Sequence, residues 1–219
     1  MLESSGIDVV VMAAGDRPTH PVPLRALREA SAVVCCDSAY LDLKTAAPHQ
    51  ADTAMVVGDG DSLPPAEKAA LGDRWLQIGE QDYNDLHKAV HWTATNLPLR
   101  GNRLTIVGAT GRREDHTLGN ISYLATFADE LPWLQVEMLT DHGRLTFCRG
   151  QREYPSFPRQ QVSIFSLTPD VPITLDGLQW PAEGLRATRW WQATLNSALG
   201  GSFTVEGGEL VVFQTYEPK

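Results

Sequence analysis

Short apolar runs rich in valine alternate with helix-type segments through the first two-thirds of this chain, and the runs stop at glycine or aspartate. Residues 7–12 lead into Ala13-Ala14-Gly15, residues 32–36 into Asp37, residues 53–57 into Gly58-Asp59, and residues 103–107 into Gly108. A last run covers 136–140, and helical composition fills 24–30, 85–92 and 114–127. Runs this short and this apolar are what strands buried on both faces look like. Their alternation with helices predicts a parallel sheet covered on both sides. Ligands of such sheets gather beyond the carboxyl ends of the strands. Asp37, Asp59 and Gly108 each stand just past such an end, which locates the expected site.

Beyond about Asp141 the helical pattern nearly disappears. Segments 145–148, 161–167, 203–205 and 210–213 are β-like and separated by turns bearing Gly and Pro. Gly207-Gly208, between the last two, predicts a tight hairpin. Trp190-Trp191 are expected in a strand, one packed on each face, with stacking on a heteroaromatic ligand as the alternative. The fold class is therefore α/β: an N-terminal Rossmann-like parallel-sheet domain over 1–141, followed by a C-terminal all-β sandwich domain over 142–219.

Hydrophobic residues make up 42% and charged residues 21%, the balance of an ordinary globular protein. The net charge of -9, with no Lys/Arg run, argues against a nucleic-acid backbone as partner. An anionic nucleotide stays open, because a metal ion can screen its phosphates. The 3 cysteines are odd in number, Cys35 and Cys36 are adjacent, and no CxxC pair exists. They read as reduced core thiols, hence a cytoplasmic location. Glu3 and Asp8 stand where a signal peptide would be basic and then apolar. No apolar run approaches the roughly 18–20 residues of a membrane span.

Two acidic clusters lie in the middle of the chain, Gly58-Asp59-Gly60-Asp61-Ser62 and Gln81-Asp82-Tyr83-Asn84-Asp85. In an extended segment Asp59 and Asp61 would point the same way and reach one ion, although Asp and Gly also crowd into plain turns. An EF-hand loop does not fit, since Leu63, Pro64 and Ala70 occupy its ligand, glycine and closing-glutamate positions. Asp82 and Asp85, three apart at a helix start, are expected to share a face, with Lys88 three further on. Taken alone, the segment reads rather as Asp82 capping the helix with Lys88 an exposed partner, and the nearness of the first acidic cluster favours function. The turn Gly108-Ala109-Thr110-Gly111 between strand and helix can cradle phosphate oxygens on its N–H groups. It is neither a Walker A loop nor a GxGxxG fingerprint. Arg113 and His116 add donors there. His87 and His91 have the i, i+4 spacing of a metal pair, but with no third ligand in the pattern they read as ordinary core or surface histidines.

In this order and spacing the motifs resemble the thiamine pyrophosphokinase family, over most of the chain. The Asp37 turn is similar to that family's Asp-Gly-Gly, and residues 58–62 to its Gly-Asp-x-Asp-Ser. Residues 81–85 with Lys88-Ala89 resemble Asp-x-Thr-Asp-x-x-Lys-Ala, and residues 108–116 with Leu118-Gly119-Asn120 resemble Gly-Ala-Thr-Gly-Gly-Arg-x-Asp-His and its continuation. Ser166-Leu167 and Gly177-Leu178-Gln179-Trp180-Pro181 resemble its C-terminal signature. The resemblance implies Mg²⁺-dependent transfer of pyrophosphate from ATP to the hydroxyethyl oxygen of thiamine, giving thiamine diphosphate and AMP, in a homodimer. It implies Asp59, Asp61, Asp82 and Asp85 as Mg²⁺ ligands, with Asp85 or Asp59 also able to accept the hydroxyl proton. It assigns Asp37, Lys88, Thr110, Gly111, Arg113, Asp115 and His116 to the nucleotide, Gln81 to the phosphates, and Trp180 and Asn196 to thiamine.

The sequence departs from the family pattern at Ser38-Ala39 for Gly-Gly, Gly60 for a bulky residue, Asn84 for Thr and Arg112 for the second Gly. Leu195-Asn196-Ser197 stands where the family has Ser-Asn, so divergence on the acceptor side leaves two rivals. One is a pyrophosphokinase for another alcohol, such as a hydroxymethyl pterin. The other is a regulator that binds nucleotide or thiamine without turnover.

Overall fold

The apolar runs of the first part become hydrogen-bonded strands in the computed structural model, which describes Gly6 and residues 8–219. The elements in order are β1 (Val9–Met12), α1 (Pro21–Glu29), β2 (Ala32–Cys36), α2 (Ala39–Ala46), α3 (Pro48–Ala51), β3 (Met55–Gly58) and α4 (Pro65–Leu71). They continue with β4 (Trp75–Gln77), α5 (Asp85–Asn96), β5 (Arg103–Val107), α6 (Glu114–Glu130) and β6 (Gln135–Leu139). Every pairing is parallel, and the spatial order is β4-β3-β2-β1-β5-β6. Burial on both faces explains the composition: all of Val9–Met12 is buried, as are Val33 to Cys36. Leu27 of α1, Leu43 of α2 and Leu71 of α4 join Val10, Met12, Val33 and Val56 in one apolar cluster. The chain leaves β1 toward β2 on one side and later returns to its other side with β5. That reversal is the topological switch point where the carboxyl ends of neighbouring strands open a crevice.

A second compact unit covers His142–Lys219 and the first ends at Asp141. The second contains β7 (Gly143–Pro155), β8 (Gln160–Ser166), β9 (Ile173–Asp176), β10 (Ala182–Leu185), β11 (Asn196–Ser197) and β12 (Ser202–Pro218). These strands pair antiparallel, and β12 runs between β7 on one side and β9 then β8 on the other. Ile173, Leu175, Phe203 and Val205 from one end of this sheet pack into the same cluster as Val162, Ile164, Leu210 and Val212 from the other. The strand-rich unit thus folds over on itself around one core.

Three expectations are corrected here. Gly207-Gly208 is not a hairpin but lies within the continuous strand β12, at a register shift between Gly207 and Glu209. A side chain at Gly207 would stand 2.7 Å from Ile173 Cγ2, and one at Gly208 would overlap Thr168, so the glycines serve close packing at a bulge. Trp190 and Trp191 are not in a strand; they sit in a short 3₁₀ turn and are 50% and 74% exposed. The strand read from residue 7 begins at Val9, while Ile7 and Glu3 lie outside the described residues. Among the described residues, no helix is long and apolar enough to cross a membrane.

Candidate active site

Asp37 directly follows β2, Asp59 directly follows β3, and Asp85 is the first residue of α5. β2 and β3 are parallel neighbours, so their carboxyl ends carry Asp37 and Asp59 side by side. One carboxylate oxygen from each of Asp37, Asp59 and Asp85 lies within 4.8 Å of the other two. Gly58 makes that approach possible, because a Cβ there would meet Asp37 Cβ at 2.9 Å and Asp85 Oδ2 at 3.1 Å.

The three carboxylates are held in unequal states. Asp37 is buried, and its Oδ2 accepts the Ser62 N–H at 2.9 Å. Its Oδ1 is buried with no hydrogen-bond partner among the described residues. Burial pushes the Asp37 carboxyl above its ordinary range, against the pull of the Ser62 N–H. Burial also raises Asp85, and the nearby Asp59 charge adds to it, while the Lys88 ammonium 3.5 Å away works in the other direction. Asp59 is held low, chiefly by the Asp61 N–H that it accepts at 3.0 Å. An orphaned buried oxygen is costly. Oxygen-only donors at this spacing suit a hard divalent cation such as Mg²⁺, which takes carboxylates together with phosphates and waters.

The other expected acidic residues fall elsewhere. The segment from Asp59 to Asp61 is not extended: Gly60 has φ +89° and turns the chain. Asp61 is exposed and lies outside the group of three, its backbone serving Asp59 instead. Asp82 does not share a helix face with Asp85, because α5 starts only at Asp85; its N–H bonds to the Glu80 carboxylate. Nor is Asp82 the helix cap. That role belongs to Asn84, whose Oδ1 accepts the His87 N–H at 3.1 Å. Gly60 also explains its own departure from the family pattern, since Lys68 Nζ and Trp75 fill the space a larger side chain would take.

A cleft of about 320 Å³ opens at the switch point. Gly15 and Ala14 after β1, Asp37 and Ser38 after β2, and Ala109 and Gly111 after β5 line it. Gly15 donates to the Gly108 carbonyl at 2.6 Å, and Asp16 to that of Thr110 at 2.8 Å, so the two turns are stitched together. Gly111, with φ +81°, packs so closely on Asp16 that a Cβ would overlap its carboxylate. Arg112 takes the left-handed φ of +59° that glycine would adopt freely. Its guanidinium is anchored on the Ala14 carbonyl at 3.0 Å and Asp42 at 2.9 Å, which offsets that backbone cost.

Arg112, Arg113 and His116 bring positive or donor groups to the cleft wall. Arg113 and Asp115 pair with each other at 2.5 Å, and the exposed Asp115 carboxyl is held low mainly by that guanidinium. Lys88 is buried against Asp85. Gln81 is exposed, with Nε2 3.4 Å from Asp59 Oδ2. Two residues that sequence reasoning did not assign to the site bind its parts together. Asn84 Nδ2 donates to Asn120 Oδ1 at 3.0 Å, and Asn120 Nδ2 donates to the Ala109 carbonyl at 2.8 Å. The signal for Asn84 was present, an Asn just ahead of a helical pattern.

In the second unit Trp180 is 58% exposed, while Asn196 is buried. The Asn196 amide accepts the Trp180 N–H at 3.1 Å and donates to the Trp180 carbonyl at 2.7 Å. Its Oδ1 also accepts the Ser197 N–H at 2.9 Å, so its polar atoms are spent on the backbone of Trp180 and Ser197. His87 and His91 gain what the sequence pattern lacked: Glu130, at the end of α6, accepts from both, at 2.7 and 2.8 Å.

Two family models match the chain. One, described as "Thiamin pyrophosphokinase, catalytic domain", covers residues 24–133, and the other, "Thiamin pyrophosphokinase, substrate-binding domain", covers residues 143–213. Thiamine pyrophosphokinase 1 of Oryza sativa subsp. japonica is 31% identical over 94 residues, 40% of this chain and 34% of that protein. Thiamine pyrophosphokinase 3 of the same plant is 36% identical over 80 residues, 33% of this chain and 30% of that protein. The chain thus matches about a third of the length of these curated relatives. Thiamine pyrophosphokinase from Bacillus subtilis superposes with a TM-score of 0.75 at 19% identity, over 95% of this chain and 98% of that one. The Candida albicans enzyme superposes with 0.76 at 17% identity, over 96% and 90%; at these identities the likeness is one of fold.

Proposed function

The chain belongs to the thiamin pyrophosphokinase family, and from that premise we propose that it transfers pyrophosphate from ATP to thiamine, releasing AMP. The observation that carries this reading is the meeting of the Asp37, Asp59 and Asp85 carboxylates within 4.8 Å beside a cleft walled by glycine turns and arginines. Asp37, Asp59 and Asp85 would hold Mg²⁺, with Asp61 and Asp82 available only if their loops rearrange. Bound there, the ion would neutralise charge on the phosphates. Thr110, Gly111, Arg113 and His116 would address the nucleotide, with Asp115 orienting Arg113. Gln81 and Lys88 would flank Asp59 and Asp85 beside the phosphates.

The reaction forms a bond from the thiamine hydroxyl oxygen to the β-phosphorus and breaks that phosphorus's bond to the oxygen bridging to the α-phosphate. AMP leaves with that oxygen, and the hydroxyl proton passes to Asp85 or Asp59. Most of the acceleration in such transfers comes from alignment and charge stabilisation. On the acceptor side, the exposed Trp180 indole offers a stacking face for a cationic heteroaromatic ring, and Asn196 holds the backbone that carries it. A homodimer belongs to the same reading. Trp180, Trp190, Trp191, Leu195 and Leu199 are all at least half exposed, more large apolar surface than one segment of a monomer usually shows water.

Purified protein with ATP, Mg²⁺ and thiamine is expected to yield AMP and thiamine diphosphate in equal amounts, and the Asp59→Asn variant to stay folded and lose turnover. AMP release with a hydroxymethyl pterin but not with thiamine would overturn the acceptor. Nucleotide binding without turnover of any acceptor would make the protein a regulator.

A further inference from the structure

α5 and α6 lie against each other along an aromatic seam, with His87 5.5 Å from Tyr123 and His91 6.4 Å from Phe127 between ring centroids. Within that seam three metal-ligating atoms converge that the proposed reaction leaves unused. They are His87 Nε2, His91 Nε2 and Glu130 Oε2, all within 4.8 Å of one another. The two histidines are one helical turn apart, so both rings project from the same face of α5. Both present the same ring nitrogen, and both aim it at the same carboxylate oxygen, 2.7 and 2.8 Å away.

We propose that His87, His91 and Glu130 form a binding site for Zn²⁺, or a transition metal of similar chemistry, that clamps α5 to α6. The donor set points to that class of ion: imidazole nitrogens suit zinc and its neighbours, whereas Mg²⁺ takes oxygen. Two imidazoles and one carboxylate leave the fourth tetrahedral position for water. Ligand bonds of about 2.0–2.1 Å set tetrahedral ligand atoms roughly 3.3 Å apart, so the nitrogen–oxygen distances need open by only about half an ångström. The His87 ring is already fixed, stacked on Tyr83 at 3.9 Å and backed by Phe127 at 6.0 Å. The His91 and Glu130 side chains are 34% and 33% exposed, which gives an ion a way in and a water a place to sit.

The clamp would act on the neighbouring site through the helices it joins. α5 opens with Asp85, and α6 opens immediately after the turn that carries Gly111 and Arg113. An ion between His87, His91 and Glu130 therefore fixes the two helices whose first turns face the cleft.

The test uses the full chain, stripped of metal and kept in excess Mg²⁺ so that the oxygen site is filled. Co²⁺ serves as the probe, because a four-coordinate site with imidazole ligands gives it strong visible absorption that a six-oxygen site does not. The wild type is expected to take up one Co²⁺ with that spectrum, to release it to Zn²⁺, and to melt higher with Zn²⁺ bound. His91→Ala and Glu130→Gln are each expected to lose affinity by a factor on the order of ten or more. No such spectrum in the wild type overturns the site, and leaves Glu130 as a plain hydrogen-bond acceptor for two imidazoles. Equal Co²⁺ affinity in the wild type and His91→Ala overturns it as well. The wild-type spectrum decides the matter even if a variant fails to fold.

Discussion

Three carboxylates crowded into one spot repel each other, and the residues around them show how that cost is carried. Asp37 and Asp85 are pushed upward by burial, with Asp59's charge adding to both, whereas Asp59 is held low by the Asp61 N–H. The folded protein therefore holds protons on Asp37 and Asp85 more tightly than the unfolded chain does. Without metal, the stability this contributes is fully present below the ordinary aspartate value of 3.8 and is lost as pH rises through the raised folded values. Cation binding has the opposite sign, since it needs both groups ionised. We predict that the gain in melting temperature from Mg²⁺ is small near pH 4 and grows as pH rises past the raised values toward about 7. A gain that is flat across this range, in scans with and without Mg²⁺, would show that Asp37 and Asp85 are not ligands. Sequence spacing pointed to the pair Asp59 and Asp61 as cation ligands, yet Asp37 is the residue that joins Asp59. That partnership depends on β2 lying beside β3 and on Gly58 having no side chain, neither of which is visible in local spacing.

Elements that are apolar on every side were legible, because burial on both faces leaves an unbroken valine-rich run. β1, β2 and β5 were read within a residue or two on this basis, and so were the starts of α5 and α6. β4 was missed: it is three residues long, at the sheet edge and partly exposed, so no run marks it. β12 was cut in two because its paired glycines mimic a turn, and only Ile173 and Thr168 from other strands and loops reveal them as packing sites. The start of α5 matters most for function. Asn84 both caps this helix and, through Asn120, ties it to the carbonyl of Ala109 beside the glycine turn. Asn84→Ala should remove a cap worth about 1 kcal/mol. For a chain of this size that lowers the melting temperature by roughly 2–4 °C. Because Asp85 is the next residue, turnover should fall by more than so small a loss of stability explains, measured well below the melting point. Stability lowered with turnover intact would mean that the Asn84–Asn120 link does not position Asp85.

At the scale of the whole molecule, each compact unit packs an apolar cluster of its own, and the family models divide the chain in nearly the same place. The change from alternating strands and helices to strands alone was legible because helical periodicity and β-type turns leave different marks on composition. The acceptor contacts proposed for the second unit were less so: the donor motifs are contiguous, while Asn196 and Trp180 meet only where the Asn196 side-chain amide bonds the Trp180 backbone. The residues lining the cleft all belong to the unit that ends at Asp141. On the proposed reading the two substrates go to different stretches of chain, a division that amide hydrogen exchange can read directly. A non-hydrolysable ATP analogue with Mg²⁺ should slow exchange at residues 13–16, 58–62 and 108–116. Most of those backbone amides lie in turns at the strand ends, and 114–116 form the first turn of α6, positions where local opening is otherwise least costly. Thiamine alone should slow exchange around Trp180 and Asn196 and leave 108–116 unchanged. Protection by the nucleotide confined to residues 142–219 would contradict the cleft as the nucleotide site. Protection by thiamine at 108–116 without any near Trp180 would remove Trp180 as the acceptor contact while leaving the donor side intact.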